Sequence, residues 1–380
     1  MTNNSFSPEP ISVPVPEALQ AIRDEWEAIY KESAVRSPFL SFEYLCLWYH
    51  CFASEEAIRI IRIEDQGETV GFLPLVSTKA AGRRALSSIT NLHCLHCSPL
   101  IRQDREDLFA ANLYPTLREM RSSFDIIRLG PYFSFNPEGA LLSEAALSRS
   151  GFAFGRTELP DFTIDLGVGF DEFYHRTISA KLRSNLKRLR KRLEDVGAGA
   201  FLHFERDAAV SNFGELLHLE DSGWKGRAES SIARLPENYQ RYYRGLVRLL
   251  ADQGCLHLFF LELDGYAIAG AFGYTEGDVF HWFKIGYHED YHELTPSNLL
   301  LLDIIRYLME HRRDLRRFHL FPGDGGYKHR WSNENSTSVE AILFSNTFRG
   351  QASLMAYRAR KRLKGVSWIN KLVQRVRPGA

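Results

Sequence analysis

Cysteine is scarce in this chain, with five residues in 380, at positions 46, 51, 94, 97 and 255. An odd number of cysteines in a chain of this length argues against a disulfide framework and favours reduced thiols. The segment His93-Cys94-Leu95-His96-Cys97 has the spacing of metal ligands. Cys46 and Cys51 make a poor second pair for a structural zinc site. The sequence therefore predicts packing cysteines and no bound metal.

Long apolar segments and an excess of charge are missing too. No segment reaches the roughly 18 uncharged apolar residues of a membrane helix. Residues 1–16 lack the charged start and apolar run of a signal peptide. Lysine plus arginine and aspartate plus glutamate both number 47, so the overall charge gives no reason to expect DNA binding. We expect a cytoplasmic globular protein without a DNA partner.

Apolar side chains make up 44% of the 380 residues, which is enough for two hydrophobic cores. A hairpin followed by a helix and a closing strand is predicted in residues 57–129 and again in residues 255–321. Glu64–Leu75 and Leu263–Tyr274 each place a glycine-containing turn before a strand with a central glycine. The repeat predicts two copies of one α+β domain, with a boundary near Pro160.

The chain is accordingly divided into a flexible, proline-containing lead-in over residues 1–16, an N-terminal domain over 17–159, a C-terminal domain over 160–345 and a tail over 346–380. The tail has nine lysine and arginine residues, no acidic residue, and interspersed apolar residues such as Leu354 and Trp368. Two interpretations of it remain open. One is a helix lying on an anionic bilayer surface, and the other is a helix docked on an acidic side of the protein's own core.

The stretch from Asp278 to Ile305 predicts a strand that leads into a helix. Aromatic and β-branched residues dominate Asp278–Tyr287, and the Thr295-Pro296 pair is typical of a helix start, with the threonine side chain as cap. The free N–H groups of such a helix attract anions. A pyrophosphate, phosphate or carboxylate held there would lie beside Lys284, Tyr287 and Tyr291. The alternative is an ordinary helix start in an α/β domain.

Residues 178–196 form the strongest charge feature. Apolar residues recur there at helical spacing, which predicts one buried face; they are Ile178, Leu182, Leu186, Leu189, Leu193 and Val196. Seven basic residues stand within twelve positions before the first acidic one, Glu194. Like charges on neighbouring helical turns repel each other. The interpretations left open are a solvated helix face and a binding surface for a phosphate-bearing or acidic substrate.

Two loops have the composition of functional segments. Glu220–Arg227 places carboxylates, Trp224 and two cations around glycines, and it leads towards a group of tyrosines. Phe321–Trp331 follows a predicted strand, and its three glycines allow close approach of backbone to a ligand. Tyr327, Lys328 and Trp331 come directly after those glycines.

These motifs together resemble a known family. The runs SAKLRSNLKR (179–188), GWKGR (223–227), LDGYAIAG (263–270), KIGYHEDY with TPSNLL (284–300) and GYKHRW (326–331) resemble the GNAT-superfamily acetyltransferases of the CelD/BcsL type. That family is associated with cellulose and exopolysaccharide production and is related in fold to the Fem aminoacyltransferases. The resemblance covers about residues 35–345 and implies tandem GNAT-like domains, each with a mixed, mostly antiparallel sheet flanked by helices.

The resemblance implies acyl transfer from a CoA thioester, acetyl-CoA first, to a hydroxyl or amine of a sugar, a polysaccharide precursor or a lipid-linked saccharide. A lipid-linked acceptor would bring the tail to the inner face of the membrane. Residues 294–298 contain no glycine, unlike the usual GNAT pyrophosphate loop. A Fem-like transferase that uses aminoacyl-tRNA therefore stays open, as does a catalytically silent protein that binds a glycan or a synthase partner.

Acyl transfer needs a group that takes the acceptor's proton and donors that hold the oxyanion. The candidates for proton transfer are Glu220, Asp221 and His281, with Tyr327 as acid towards the leaving thiolate. The candidates for binding the donor are Phe283, Lys284, Ile285, Thr295, Ser297, Asn298 and Leu299. The candidates for binding the substrate are Lys181, Arg183, Asn185, Arg188, Trp224, Lys225, Tyr287, Tyr291, Lys328 and Trp331.

Overall fold

The computed structural model describes residues 16–33, 37–80, 82–91, 93–94, 97–322 and 326–364. The α-helices are Glu17–Gln20 (α1), Arg23–Glu32 (α2), Phe42–Phe52 (α3), Glu106–Glu119 (α4), Glu144–Arg149 (α5), Phe170–Arg176 (α6), Ala180–Val196 (α7), Arg206–Ser222 (α8), Trp224–Arg227 (α9), Glu237–Asp252 (α10), Pro296–His311 (α11) and Phe348–Lys364 (α12). The strands are Ile58–Asp65 (β1), Glu68–Ala80 (β2), Arg83–Ser88 (β3), Leu100–Ile101 (β4), Ile126–Phe133 (β5), Ala153–Asp165 (β6), Gly199–Glu205 (β7), Leu256–Leu263 (β8), Tyr266–Glu276 (β9), Val279–Tyr287 (β10), Arg317–His319 (β11) and Glu334–Phe344 (β12). No helix among the described residues is long and apolar enough to cross a bilayer.

The described residues divide into two compact units, and each unit takes two separate stretches of the chain. The larger unit comes from Met1–Glu55 and Leu159–Thr337, and the smaller unit from Glu56–Glu158 and Ser338–Ala380. The segment 17–55, predicted as part of the N-terminal domain, thus belongs with the larger unit. The physical reason is aromatic packing of α3 on α10. The centroid of the Tyr242 ring lies 6.4 Å from that of Tyr44 and 5.1 Å from that of Phe52.

The sheet of the larger unit is mostly antiparallel. Its strands follow the order β7-β8-β9-β10-β11-β6, and β8 and β9 form the predicted hairpin. A parallel pair joins β10 to β11 over Val279–His281 and Arg317–His319. The C-terminal part of β6 then pairs antiparallel with β11. Helix α11 connects β10 to β11, as a parallel crossover requires.

The predicted basic amphipathic helix is α7. Leu182, Leu186, Leu189 and Leu193 are all buried in one core with apolar residues of α11 and of the central strands. The predicted apolar stripe is wrong at its end, because Val196 is 61% exposed. It is the last residue of the helix, where the chain turns towards β7.

The smaller unit repeats the same order of elements. Its strands follow β1-β2-β3-β5-β12, with β4 paired to β2, and the pair β3 with β5 is parallel. Helix α4 packs Phe109, Leu113 and Leu117 into a core with Ile61 and Leu129. A hairpin, a third strand, a helix and a parallel fourth strand therefore occur in both units. The predicted α+β repeat is confirmed.

The first half of the basic tail forms helix α12, and residues 365–380 lie outside the described residues. Leu354 is buried with Ala85, Ile126 and Phe344 of the smaller unit. Phe348 and Met355 remain exposed. This part of the tail docks on the core of its own unit through apolar residues. Docking on an acidic side of the core and contact with a bilayer both stay predictions.

Candidate functional site

The two parallel strands β10 and β11 separate at a defined point. His281 and His319 are their last paired residues, and β10 then continues to Tyr287 paired only with β9. The register with β9 shifts between Trp282 and Lys284, so Phe283 lies in a β-bulge. We call residues 282–287 the open edge of β10. Within the described part of the chain no strand pairs with this edge on the β11 side. The Ile285 and Tyr287 carbonyl oxygens accept from Lys225 and Ser222 instead, and the backbone N–H groups of the edge are the ones that a ligand could use.

Helix α8 packs closely against the strand at Gly286. A Cβ atom at Gly286 would lie 2.5 Å from the backbone nitrogen of Glu220, so only glycine permits this approach. Lys225 donates to Glu220 Oε1 at 2.7 Å and to the carbonyl oxygen of Ile285 at 2.8 Å. The other carboxylate oxygen of Glu220 accepts the Ile232 N–H at 2.8 Å. Lys225 and Glu220 therefore connect the end of α8 to the open edge.

The predicted base candidates Glu220 and Asp221 are both occupied by structural contacts. Glu220 is 2% exposed and bonded through both oxygens. Asp221 accepts from Ser231 and from Arg234, each at 2.6 Å, and the Arg234 hydrogen bond lowers the pKa of Asp221. These contacts suit residues that position the segment after α8. Trp224 begins α9, but its side chain lies outside the described part of the structure.

Lys284 lies beside the open edge, and its pKa is lowered. Its ammonium group lies 5.3 Å from the centre of the Tyr243 ring. Burial lowers the pKa of Lys284 to about 8, Glu220 raises it and Lys225 lowers it further. Lys284 follows the Phe283 bulge directly, at the place where the sequence predicts the donor. Its lowered pKa means that the charge at this place changes near pH 8.

A chain of buried polar groups begins at the separation point of β10 and β11. His281 and His319 approach through their Nδ1 atoms at 3.0 Å, and His319 Nε2 lies 2.7 Å from Asp161 Oδ1. All three residues are at most 2% exposed. We call these three residues the histidine relay. His281 was predicted, whereas His319 and Asp161 were missed because they lie on strands distant in sequence.

Glu276 extends the relay on its other side. Its Oε2 atom lies 4.0 Å from His281 Nε2 and accepts a hydrogen bond from Ser37 at 2.9 Å. Burial raises the pKa of Glu276 to about 7, while the Ser37 hydrogen bond lowers it. The Tyr274 ring stacks on His281 with centroids 4.6 Å apart. A buried carboxyl group with a raised pKa beside an imidazole is suited to move a proton.

The start of α11 differs from the prediction in one respect. Thr295 makes no side-chain capping bond and has φ 42° and ψ 55°, so the predicted threonine cap is wrong. A left-handed conformation is unusual for a β-branched residue, and it differs from the extended backbone that a capping residue normally has. Ser297 and Asn298 are half-buried, and Leu299 packs into the core. The Asn298 N–H donates to the Thr295 carbonyl oxygen at 2.9 Å.

Helix α7 lies against α11 through charged contacts. Arg190 forms two bonds to Asp303 of α11 at 2.5 and 2.6 Å, and Arg192 contacts Glu293 at 3.3 Å. Arg183, a predicted substrate ligand, donates to the carbonyl oxygens of Tyr174 and His175 at the end of α6. Arg183 therefore satisfies carbonyl oxygens in the last turn of α6.

Other predicted ligands on α7 face solvent. Lys181 and Arg188 are exposed, and Arg188 donates to Asn185 at 2.8 Å. Exposed cations of this kind remain accessible to an anionic ligand.

The segment after β11 holds the remaining candidates. Lys328 donates to the carbonyl oxygens of Phe321 and Pro322, and burial lowers its pKa. Trp331 is fully buried in the core. Tyr327 is half-buried, burial raises its pKa, and a hydrogen bond with Trp282 opposes that rise.

The two tyrosines after the strand, Tyr287 and Tyr291, are half-buried and pack against the same core. The Tyr287 carbonyl oxygen accepts from Ser222 at 3.2 Å. They therefore flank the end of the open edge.

Comparison with known proteins agrees with this architecture. Residues 180–329 match a family described as "Acetyltransferase (GNAT) domain". The fold is GNAT-like. The crystal structure of FemX superimposes with a TM-score of 0.56 at 13% identity, covering 85% of this chain and 96% of that one.

Two further structures are similar over comparable lengths. The C-terminal domain of a putative lysylphosphatidylglycerol synthetase from Agrobacterium fabrum gives a TM-score of 0.53 at 13% identity, over 88% of this chain and 95% of that one. A conserved protein of unknown function from Bacteroides thetaiotaomicron superimposes with a TM-score of 0.51 at 14% identity, over 85% of this chain and 97% of that one. No curated protein matches the sequence. These identities establish the tandem GNAT-like fold alone.

Proposed function

We propose that this protein is an acyltransferase that holds the carbonyl group of an acyl donor at the open edge of β10. The observation that carries the proposal is the separation of β10 from β11 after the His281 and His319 pair, with a bulge at Phe283. Backbone N–H groups at an edge without a partner strand can donate to the oxyanion of a tetrahedral intermediate. The GNAT domain match over residues 180–329 supports the same class of reaction.

The histidine relay supplies the proton transfer in this proposal. A hydroxyl or amine of the acceptor attacks the donor carbonyl carbon, and its proton passes through a bridging water to His281. The bond from the carbonyl carbon to the leaving atom then breaks, and the leaving group is released with a proton. His319 and Asp161 orient the His281 ring in this proposal, since His319 contacts His281 Nδ1 through its own Nδ1 and Asp161 through its Nε2.

The donor is a CoA thioester in the primary form of the proposal. Its phosphates would meet the N-terminus of α11, Lys284, and the exposed cations Lys181 and Arg188 of α7. An aminoacyl-tRNA donor is the second candidate, because the helix start at 294–298 lacks glycine and contains the left-handed Thr295. The similarity in fold to FemX and to a putative lysylphosphatidylglycerol synthetase supports that candidate. The acceptor is a hydroxyl or amine of a sugar, including a polysaccharide precursor of the CelD/BcsL kind.

Ser297→Glu is expected to weaken donor binding at least about tenfold, because a fixed negative charge at the N-terminus of α11 opposes an anionic donor. Isothermal titration with acetyl-CoA and, separately, with aminoacyl-tRNA measures the effect and identifies the donor. Ser211→Glu on the exposed face of α8 is the matched control and should leave affinity unchanged. Equal affinity in wild type and Ser297→Glu would contradict the proposed donor position.

Donor affinity is also expected to fall as pH rises through about 8. Below that value Lys284 is charged and attracts donor phosphates, and above it the side chain is neutral, because burial lowers its pKa. Lys284→Arg retains the charge and should bind equally from pH 7 to pH 9. Titrations of both proteins across this range provide the test, and a parallel decline in the two would exclude Lys284 as the cause.

A further inference from the structure

A second cluster of chemically active side chains lies on the other face of the sheet. The antiparallel pairing of β7 with β8 places Glu205 opposite His257, and His203 lies two residues earlier on the same face. The rings of His257 and Phe280 pack edge to face, with centroids 5.8 Å apart. Since Phe280 and His281 are neighbours in a strand, they point to opposite faces. This cluster is therefore separate from the histidine relay.

The three potential ligand atoms form a compact triangle. His203 Nε2 lies 3.1 Å from His257 Nδ1, and His257 Nδ1 lies 3.0 Å from Glu205 Oε1. The third side, from His203 Nε2 to Glu205 Oε1, measures 3.7 Å. Tetrahedral zinc with ligand bonds of about 2.0–2.2 Å requires ligand atoms roughly 3.3–3.5 Å apart. The triangle thus has the size of one face of a zinc coordination tetrahedron.

The remaining nitrogen atoms of both histidines have partners of their own. His203 Nδ1 lies 3.0 Å from the Tyr307 hydroxyl, and His257 Nε2 lies 3.4 Å from Thr275 Oγ1. Metal-binding histidines usually donate their second N–H to such a group, which fixes the ring and leaves the other nitrogen bare. We propose that His203, Glu205 and His257 bind one Zn²⁺ ion. Glu205 is half exposed, so the fourth coordination position faces solvent.

Arg312 is the one cation among the described residues in contact with this cluster. Its Nη1 atom lies 3.6 Å from Glu205 Oε1 and 3.5 Å from His257 Nε2. Asp314 binds the same guanidinium through two bonds at 2.9 and 2.8 Å. The Asp314 carboxylate balances the Arg312 charge, so the Glu205 carboxylate is available to bind a metal ion. The competing arrangement is an ion pair of Glu205 with Arg312 and His257 alone.

The test uses the full chain, without a histidine tag, after dialysis against a chelator. Titration with Zn²⁺ should give one bound equivalent and raise the midpoint of thermal unfolding, since a ligand of the folded state stabilises it. Co²⁺ in place of Zn²⁺ should give the visible absorption of a four-coordinate ion. Glu205→Gln and His203→Gln should each weaken Zn²⁺ binding at least tenfold, while His218→Gln, an exposed histidine of α8, should bind as wild type does.

Each alternative outcome overturns the proposal. Absence of a bound equivalent favours the ion pair with Arg312. Unchanged binding in Glu205→Gln and His203→Gln, or equal loss in His218→Gln, places the metal elsewhere. Because Glu205 is half exposed, Glu205→Gln is expected to fold even if a buried histidine variant does not. Circular dichroism of the apo variants checks this.

Discussion

His281→Gln is expected to lower kcat by roughly 10²–10⁴-fold, the usual contribution of a general base, with a much smaller change in KM. The variant removes the group nearest the open edge of β10 from the histidine relay and leaves the Phe283 bulge in place. The measurement is steady-state kinetics with the donor that the titrations identify. His319→Gln and Asp161→Asn should act in the same direction, because each changes the hydrogen bond that orients His281.

Loss of folding has to be separated from loss of chemistry in these buried variants. His311→Gln, an exposed histidine on α11, is the matched control and should keep the wild-type kcat. A pH profile separates positioning from general destabilisation. In Asp161→Asn the apparent pKa of the base, read from the plot of kcat against pH, should shift. A variant that is only less stable should keep the wild-type pH profile. Normal kcat in folded His281→Gln would remove the relay from the mechanism.

The sequence was sufficient for those parts of the fold that depend on local patterns. The leucines of α7 recur at helical spacing, and the Asp264-Gly265 turn allows positive φ at both positions, so the helix and the hairpin follow from neighbouring residues. The repeated order of elements also follows from such patterns. The prediction of GNAT-like domains is confirmed on this basis.

The arrangement of the relay could not be predicted in the same way. Asp161 and His319 lie 158 positions apart, and they meet only because the end of β6 pairs antiparallel with β11. A lone histidine in an apolar strand gives no signal of its partner. Similarly, the joining of residues 17–55 to the larger unit depends on contacts between α3 and α10 that local periodicity does not encode.

The Thr295 prediction failed for a different reason. A Thr-Pro pair before an apolar run is typical of a capped helix start. Thr295 also ends the turn Glu289–Leu294, in a left-handed conformation with its N–H donated to the His292 carbonyl oxygen. A capping residue normally has extended dihedral angles, and Thr295 makes no side-chain capping bond. The local pattern at the helix start does not reveal that the same residue ends the preceding turn.

Lys225→Met is expected to lower the free energy of unfolding by about 3–5 kcal/mol, because the buried Glu220 carboxylate loses its hydrogen-bonded counter-charge. The Glu220 side chain is 2% exposed and that of Lys225 is 20% exposed, so water cannot compensate for the lost bond. The carbonyl oxygen of Ile285 also loses its Lys225 donor. Urea unfolding monitored by tryptophan fluorescence measures the change. Arg176→Met, which removes an exposed ion pair with Glu172, is the control, with an expected loss of at most about 1 kcal/mol.

The double variant Glu220→Gln with Lys225→Met distinguishes a buried charge from lost packing. The amide retains an acceptor for the Ile232 N–H and needs no counter-charge, so most of the lost stability should return. A double variant as unstable as Lys225→Met would mean that the lysine stem and its bond to Ile285, rather than the ion pair, hold α8 against β10.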